Sequence, residues 1–265
     1  MPAAHPFLDH DGPIAFVHRG GALEAFENTT AAFDQCASAG FTYFETDVRA
    51  TADGVLLSFH DATLSRVTDR DGRISELPWA EVGQARVGGR EPIPRIDDLL
   101  YGFPDVRFNL DAKDASTLKP LAYLLQRDRT LLDRVCVASF SDRRLRWLRT
   151  ALGDRVCTGL GPREIARLRV ASFRRSRADL PATALAAQVP VGPDLMPLVD
   201  ARLVDTAHEH GLVVHVWTVD DDTEMAALLD LGVDGLMTDR PAVLKQVLER
   251  RAQWRGARPG RPIPS

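Results

Sequence analysis

Short apolar runs alternate with amphipathic stretches along nearly the whole chain, and no other feature limits its folds so strongly. Runs at 14–17, 44–48, 55–59, 106–110, 135–138, 155–158, 184–189, 213–219 and 235–237 have the length and the β-branched or aromatic content of buried strands. Helical stretches fall at 30–39, 118–127, 142–151, 162–170, 200–210, 223–231 and 241–250. Several end at a glycine (Gly40, Gly211, Gly232), and two start at a proline (Pro162, Pro241). Nine such runs, most of them alternating with helices, are close to the eight of a closed (β/α)₈ TIM barrel and point to that fold in the α/β class, with an open doubly wound sheet as runner-up. Within 265 residues, one barrel accounts for 1–252 as a single domain.

Residues 62–98 break the rhythm. They are polar, rich in Gly, Pro and Arg, and too long for a plain strand-to-helix loop, so they are expected to form a small insertion at the barrel rim after the second strand region. Residues 253–265 lack an apolar pattern and are expected to be a flexible tail.

A formal net charge of −4, with no basic run suited to duplex nucleic acid, argues against a nucleic-acid partner. Cys36, Cys136 and Cys157 are odd in number and lack CxxC spacing, which fits buried reduced thiols. The N-terminal residues carry no signal-like apolar segment, and no stretch nears the ~18 apolar residues of a membrane span. The expectation is a cytoplasmic enzyme without stable membrane insertion.

Two of the apolar runs end in a histidine, His18 and His60, and between them lie Glu45 and Asp47. A strand's period of two puts Glu45 and Asp47 on one face, where they repel unless they share a cation. Their hard oxygens suit Mg²⁺ or Ca²⁺; the plainer reading is a salt bridge to Arg19 or Arg49. Asp111 and Lys113 share a face in the same way, Asp111 as a third ligand and Lys113 as a charge for phosphate, or else as a surface ion pair. Two histidines that ionise near neutrality can divide general-base and general-acid work. Arg19 is a natural phosphate clamp. Glu27 and Asn28 face the same rim, with Asn28 also a helix N-cap. Trp217, at the end of a late strand, either walls a substrate pocket or packs in the core, and His215 shares its parity.

Taken in order, His18-Arg19-Gly20, Glu27-Asn28-Thr29, Glu45-Thr46-Asp47-Val48 with Thr51-Ala52-Asp53-Gly54, His60-Asp61 with Leu64, Arg66 and Thr68, Val216-Trp217-Thr218-Val219 and the run from Asp234 to Pro241 resemble the glycerophosphodiester phosphodiesterases. The resemblance covers nearly the whole chain. It implies a TIM barrel, one divalent cation held by Glu45, Asp47 and Asp111, and His18 and His60 as the acid–base pair. It also implies hydrolysis of small glycerophosphodiesters to sn-glycerol 3-phosphate and an alcohol, by attack of a glycerol hydroxyl on phosphorus and opening of the cyclic phosphate by water. The chain departs from the family pattern with Asp111 in place of the usual Glu, Phe26 in place of a proline, and Asp220 where Asn is frequent. The alternatives are a lysophospholipase D or sphingomyelinase D-like phosphodiesterase, which calls for an apolar rim, and a non-catalytic polyol-phosphate binder, which predicts loss of a histidine or an acid.

Overall fold

A computed structural model describes residues 5–192 and 198–257. Eight parallel strands close into a barrel: β1 (Ile14–His18), β2 (Tyr43–Ala50), β3 (Arg107–Ala112), β4 (Val135–Ala138), β5 (Cys157–Gly159), β6 (Ala184–Pro190), β7 (Val213–Trp217) and β8 (Gly235–Thr238). Each pairs with the next, and β8 returns to β1 with Ile14 opposite Gly235, which completes the ring. Around it lie α1 (Thr30–Ser38), α2 (Ile96–Gly102), α3 (Leu118–Arg127), α4 (Asp142–Leu152), α5 (Pro162–Arg174), α6 (Ala201–Glu209), α7 (Asp222–Asp230) and α8 (Pro241–Arg250). Polar caps set several starts: Thr29, Ser141, Asp200 and Asp221 each accept backbone N–H bonds from the first turn of the helix that follows. The cap of α1 is thus Thr29 rather than the expected Asn28, which sits one residue earlier in a left-handed conformation.

Strand parity sorts the barrel interior into layers. At the closed end, Phe16, Tyr43, Cys136, Cys157 and Met237 pack with Phe7, which caps them from the N-terminal segment and accepts a 2.8 Å hydrogen bond from the Tyr43 hydroxyl. Burying each aromatic there contributes roughly 2 kcal/mol. Polar residues come next: Asn109, Gln188 and His215. His18, Glu45, Asp47 and Asp111 face the open mouth, Glu45 level with His18 and Asn109, and Asp47 and Asp111 two positions further along their strands. A second, larger apolar shell fills the space between strands and helices.

The run at 55–59 does not form a barrel strand. Leu56–Ser58 pairs antiparallel with the end of β2, Ala50 opposite Leu56 and Val48 opposite Ser58. A tight turn through Asp53 and Gly54, with Gly54 at φ 84°, folds the chain back. His60 therefore reaches the mouth on a hairpin and not from the end of a barrel strand.

The segment at 62–98 has more structure than its polarity implies. It holds two short helical turns and a small antiparallel pair, Arg86–Val87 with Glu91–Pro92, and its end forms the start of α2. Leu57, Phe59, Leu64, Ile74, Val82 and Ile93 give it an apolar core of its own. At the other end of the chain, the expected flexible tail is packed as far as Ala257: the Trp254 ring lies 4.8 Å from Phe41, and Ala257 N–H donates to the Gly40 carbonyl. The rest of that tail, 258–265, lies outside the described residues. Among the described residues, no helix is long and apolar enough to cross a membrane.

Candidate active site

The barrel mouth encloses a cavity of about 400 Å³. Its charged half is lined by His18, Arg19, Glu45, Asp47, His60, Asp111 and Lys113, so strand parity and the hairpin bring the expected residues together. Its other half is apolar: Phe140, Leu160, Ile165, Pro190 and Trp217. Trp217 is a cavity wall, with its ring edge-on to Phe140 at 5.4 Å. Phe140 itself is 61% exposed, and Leu23 and Phe26 on the loop after β1 are exposed as well, so the rim is less polar than the insertion alone suggests.

His18 and Glu45 are register partners across β1 and β2, and His18 Nε2 lies 3.6 Å from Glu45 Oε2. The other ring nitrogen, Nδ1, donates to Asp239 Oδ1 at 2.7 Å, which leaves Nε2 facing the cavity. Burial alone would lower the His18 pKa, but the Glu45 and Asp239 carboxylates outweigh it and raise the value above normal. Asp239 was not singled out from sequence. Its signal was available, because it is the acid immediately after a barrel strand, where such folds place their chemistry. Asp220 in turn positions this acid: its Oδ1 accepts from the Asp239 backbone N–H at 2.8 Å and from the Thr238 hydroxyl at 2.9 Å. An asparagine oxygen offers the same acceptor.

His60 repeats the device. Its Nδ1 donates to Asp61 Oδ1 at 2.6 Å, while Asp61 Oδ2 takes the Nε–H of Arg66. The Arg66 guanidinium also grips both oxygens of Glu27 at 2.7 and 2.9 Å. Glu27 thus ties the loop after β1 to the insertion. Arg49 donates twice to the His60 carbonyl, at 2.8 and 3.0 Å, and once to Asp114.

Asp47 is almost fully buried between two cations. Lys113 Nζ is 2.7 Å from its Oδ1, and Arg19 Nε is 2.9 Å from its Oδ2, the latter without the angle of a hydrogen bond. Asn28 Nδ2 donates to Oδ2 at 3.1 Å, while Asn28 Oδ1 accepts from Thr46 and Ser58. Burial opposes the Asp47 charge, but Lys113 and Arg19 overcome it and hold the pKa below normal. Asn28 and Arg19 both sit in the left-handed region, at φ 56° and 54°, a cost that the backbone bond from Asn28 N–H to the Arg19 carbonyl offsets. Lys113 also bridges to Asp111 Oδ2 at 2.7 Å, so Asp111–Lys113 is a buried pair rather than a surface one. Burial would lower the Lys113 pKa, and the Asp111 and Asp47 charges more than reverse it. Below them, Gln188 donates to Asn109 Oδ1 at 2.9 Å and lies 3.4 Å from His215 Nδ1. His215 is wholly buried against Phe16 and outside the cavity.

The acids carry unmet demand. Glu45 Oε2 and Asp111 Oδ1 are buried without a hydrogen-bond partner. Burial, then repulsion by Asp47, pushes the Glu45 carboxyl up to about 7. Among the described residues, no three His, Cys, Asp or Glu side chains converge as a finished metal cage, since the Lys113 ammonium stands between Asp47 and Asp111. In kind, though, three carboxylates with two orphaned oxygens fit a hard divalent cation.

Residues 18–243 match the Glycerophosphoryl diester phosphodiesterase family. The chain is 37% identical over 259 residues to "Probable glycerophosphodiester phosphodiesterase 2" of Mycobacterium tuberculosis (strain ATCC 25618 / H37Rv), covering 95% of this chain and 96% of that one. Its fold is similar to the crystal structure of glycerophosphodiester phosphodiesterase from Agrobacterium tumefaciens str. C58, with a TM-score of 0.73 at 23% identity over 88% of this chain and 99% of that one. It is equally similar to an Oleispira antarctica phosphodiesterase in complex with the product sn-glycerol-3-phosphate, with a TM-score of 0.73 at 23% identity over 90% and 97% of the two chains. A closed barrel, a mouth built from two carboxylate-held histidines and three acids, and these matches lead to one assignment: the chain belongs to the glycerophosphoryl diester phosphodiesterase family.

Proposed function

We propose that the protein hydrolyses glycerophosphodiesters to sn-glycerol 3-phosphate and an alcohol, with His18 and His60 as the acid–base pair and a divalent cation as cofactor. The observation that carries this reading is the duplicated histidine–carboxylate pair, His18 with Asp239 and His60 with Asp61, facing one cavity. Each carboxylate fixes the proton on Nδ1 and leaves Nε2 to take or give a proton. One ring removes the proton of the attacking hydroxyl, and the other protonates the departing oxygen. Glu45, Asp47 and Asp111 would hold Mg²⁺ or Ca²⁺, and the unpartnered oxygens of Glu45 and Asp111 support that choice. Bound there, the cation would act as a Lewis acid toward the phosphoryl oxygens. Arg19 and Lys113 line the same cavity and answer the charge on the non-bridging oxygens.

Purified protein stripped of metal and resupplied with Mg²⁺ or Ca²⁺ releases glycerol 3-phosphate from glycerophosphocholine on this reading. Absence of turnover with every divalent cation overturns it. A second reading, lysophospholipase D or sphingomyelinase D-like cleavage, draws support from the apolar half of the cavity and from exposed Leu23, Phe26 and Phe140. Faster cleavage of lysophosphatidylcholine than of glycerophosphocholine would establish it.

A further inference from the structure

The chain is acidic overall, yet its positive charge is segregated. Residues 141–177 contain eleven arginines, three acids and no lysine or histidine, a net charge of +8 inside a chain of −4. Helix α5 organises the densest part. Arg163, Arg167 and Arg174 fall on its outer face, continued past its end by Arg175 and Arg177, and all five are exposed without an ion pair among the described residues. Arg169 behaves differently: it pairs with Asp200 at 2.7 Å and lays its guanidinium over the Phe173 ring at 4.3 Å.

Apolar side chains share the arginine face. Val170 is 48% exposed and Phe173 59%, three positions apart and interleaved with Arg167 and Arg174 at helical spacing. Arg163, Arg167, Val170, Arg174 and Arg177 line a shallow groove of about 420 Å³ in which Asp179 is the one acid among the described residues. A helix with basic residues flanking exposed apolar ones suits the headgroup region of an anionic bilayer, where apolar side chains enter the acyl boundary and arginines meet phosphate. A nucleic acid or acidic peptide would use the charges but have no use for Val170 and Phe173. The first turn of the same helix, through Pro162 and Ile165, lines the catalytic cavity, so a surface held along α5 lies beside the mouth.

We propose that the outer face of α5 docks the protein on anionic phospholipid membranes, with Arg163, Arg167, Arg174 and Arg177 meeting headgroups and Val170 and Phe173 contacting the lipid interface. The test uses the full chain with vesicles of phosphatidylcholine alone or with one quarter phosphatidylglycerol, read by co-sedimentation. The protein pellets with the anionic vesicles at low salt, is released at about 0.5 M NaCl, and ignores the neutral ones. The triple change Arg167→Gln, Arg174→Gln, Arg177→Gln weakens binding at least ~10-fold. The pair Val170→Ser, Phe173→Ser keeps every charge and still weakens it several-fold, while both variants keep the parent's melting temperature and its rate on a soluble diester. Equal pelleting with neutral and anionic vesicles, or no pelleting with either, overturns the proposal. So does an anionic-vesicle affinity that is untouched by the serine pair, or binding to duplex DNA in place of vesicles.

Discussion

Asp239 Oδ1 and His18 Nδ1 lie 2.7 Å apart, although 221 positions separate them in the chain. The contact spans the β8–β1 seam of the barrel, and it fixes both the tautomer and the tilt of the His18 ring. Asp239→Ala should lower kcat on glycerophosphocholine by about 10- to 100-fold, as expected for loss of a group that orients a catalytic histidine. KM should change far less. Asp220→Asn should leave the rate near the parent value, because its amide oxygen accepts the same two bonds, whereas Asp220→Ala should reproduce part of the Asp239→Ala loss.

Lys113 bridges two buried carboxylates at once. Lys113→Met strands Asp47 and Asp111 in the cavity wall at a cost of roughly 3 kcal/mol, or about 10 °C in melting temperature for a chain of this size. Millimolar Mg²⁺ or Ca²⁺ should restore more of that loss than it adds to the parent protein. Thermal unfolding with and without cation checks both statements.

Arg66 is half exposed, so its ion pairs with Glu27 and Asp61 contribute less than ~1 kcal/mol to stability. Their effect is on position. Arg66→Ala frees Asp61 and loosens the insertion from the loop after β1, so kcat should fall about tenfold while the melting temperature hardly moves. Parallel kinetics and calorimetry on one preparation separate the two effects.

Burial pushes the His215 imidazole down to about 3 from its ordinary 6.5. The unfolded chain therefore takes up this proton first as the pH falls. Stability is unaffected by His215 above pH 6.5 and declines below it by up to ~1.4 kcal/mol per pH unit, until the folded protein also protonates near 3. In His215→Leu this part of the acid limb should vanish, visible as a flatter urea midpoint between pH 6 and 4.

The mouth was legible in the sequence wherever a strand carried it. Period two alone put Glu45 with Asp47 and Asp111 with Lys113, and the end of the first apolar run gave His18 its place. His60 was legible as a residue but not as a position. Antiparallel or parallel pairing does not follow from the composition of Val55 to Phe59, and the deciding signal was the Asp53–Gly54 turn. Helix α2 escaped notice because its apolar residues, Ile96, Leu99 and Leu100, emerge from a polar segment and span only two turns. Trp254 looked like part of a structureless tail, since a lone aromatic reveals nothing of the Phe41 ring that awaits it. Asp239 is legible as an acid at a strand end, but its pairing with His18 is beyond local reasoning, because that partner comes from the opposite end of the sequence.

The seam between β8 and β1 gives the enzyme an unusual property. Its first histidine, the chemistry-bearing end of the first strand, lacks a carboxylate anchor until the final strand has docked beside it. A chain interrupted between Lys113 and Asp239 would hold Glu45, Asp47, Asp111 and both imidazoles, yet leave the His18 ring without that anchor. If His18 acts as proposed, full turnover should depend on ring completion, and its recovery during refolding would time the last strand's arrival more directly than any measure of helix content.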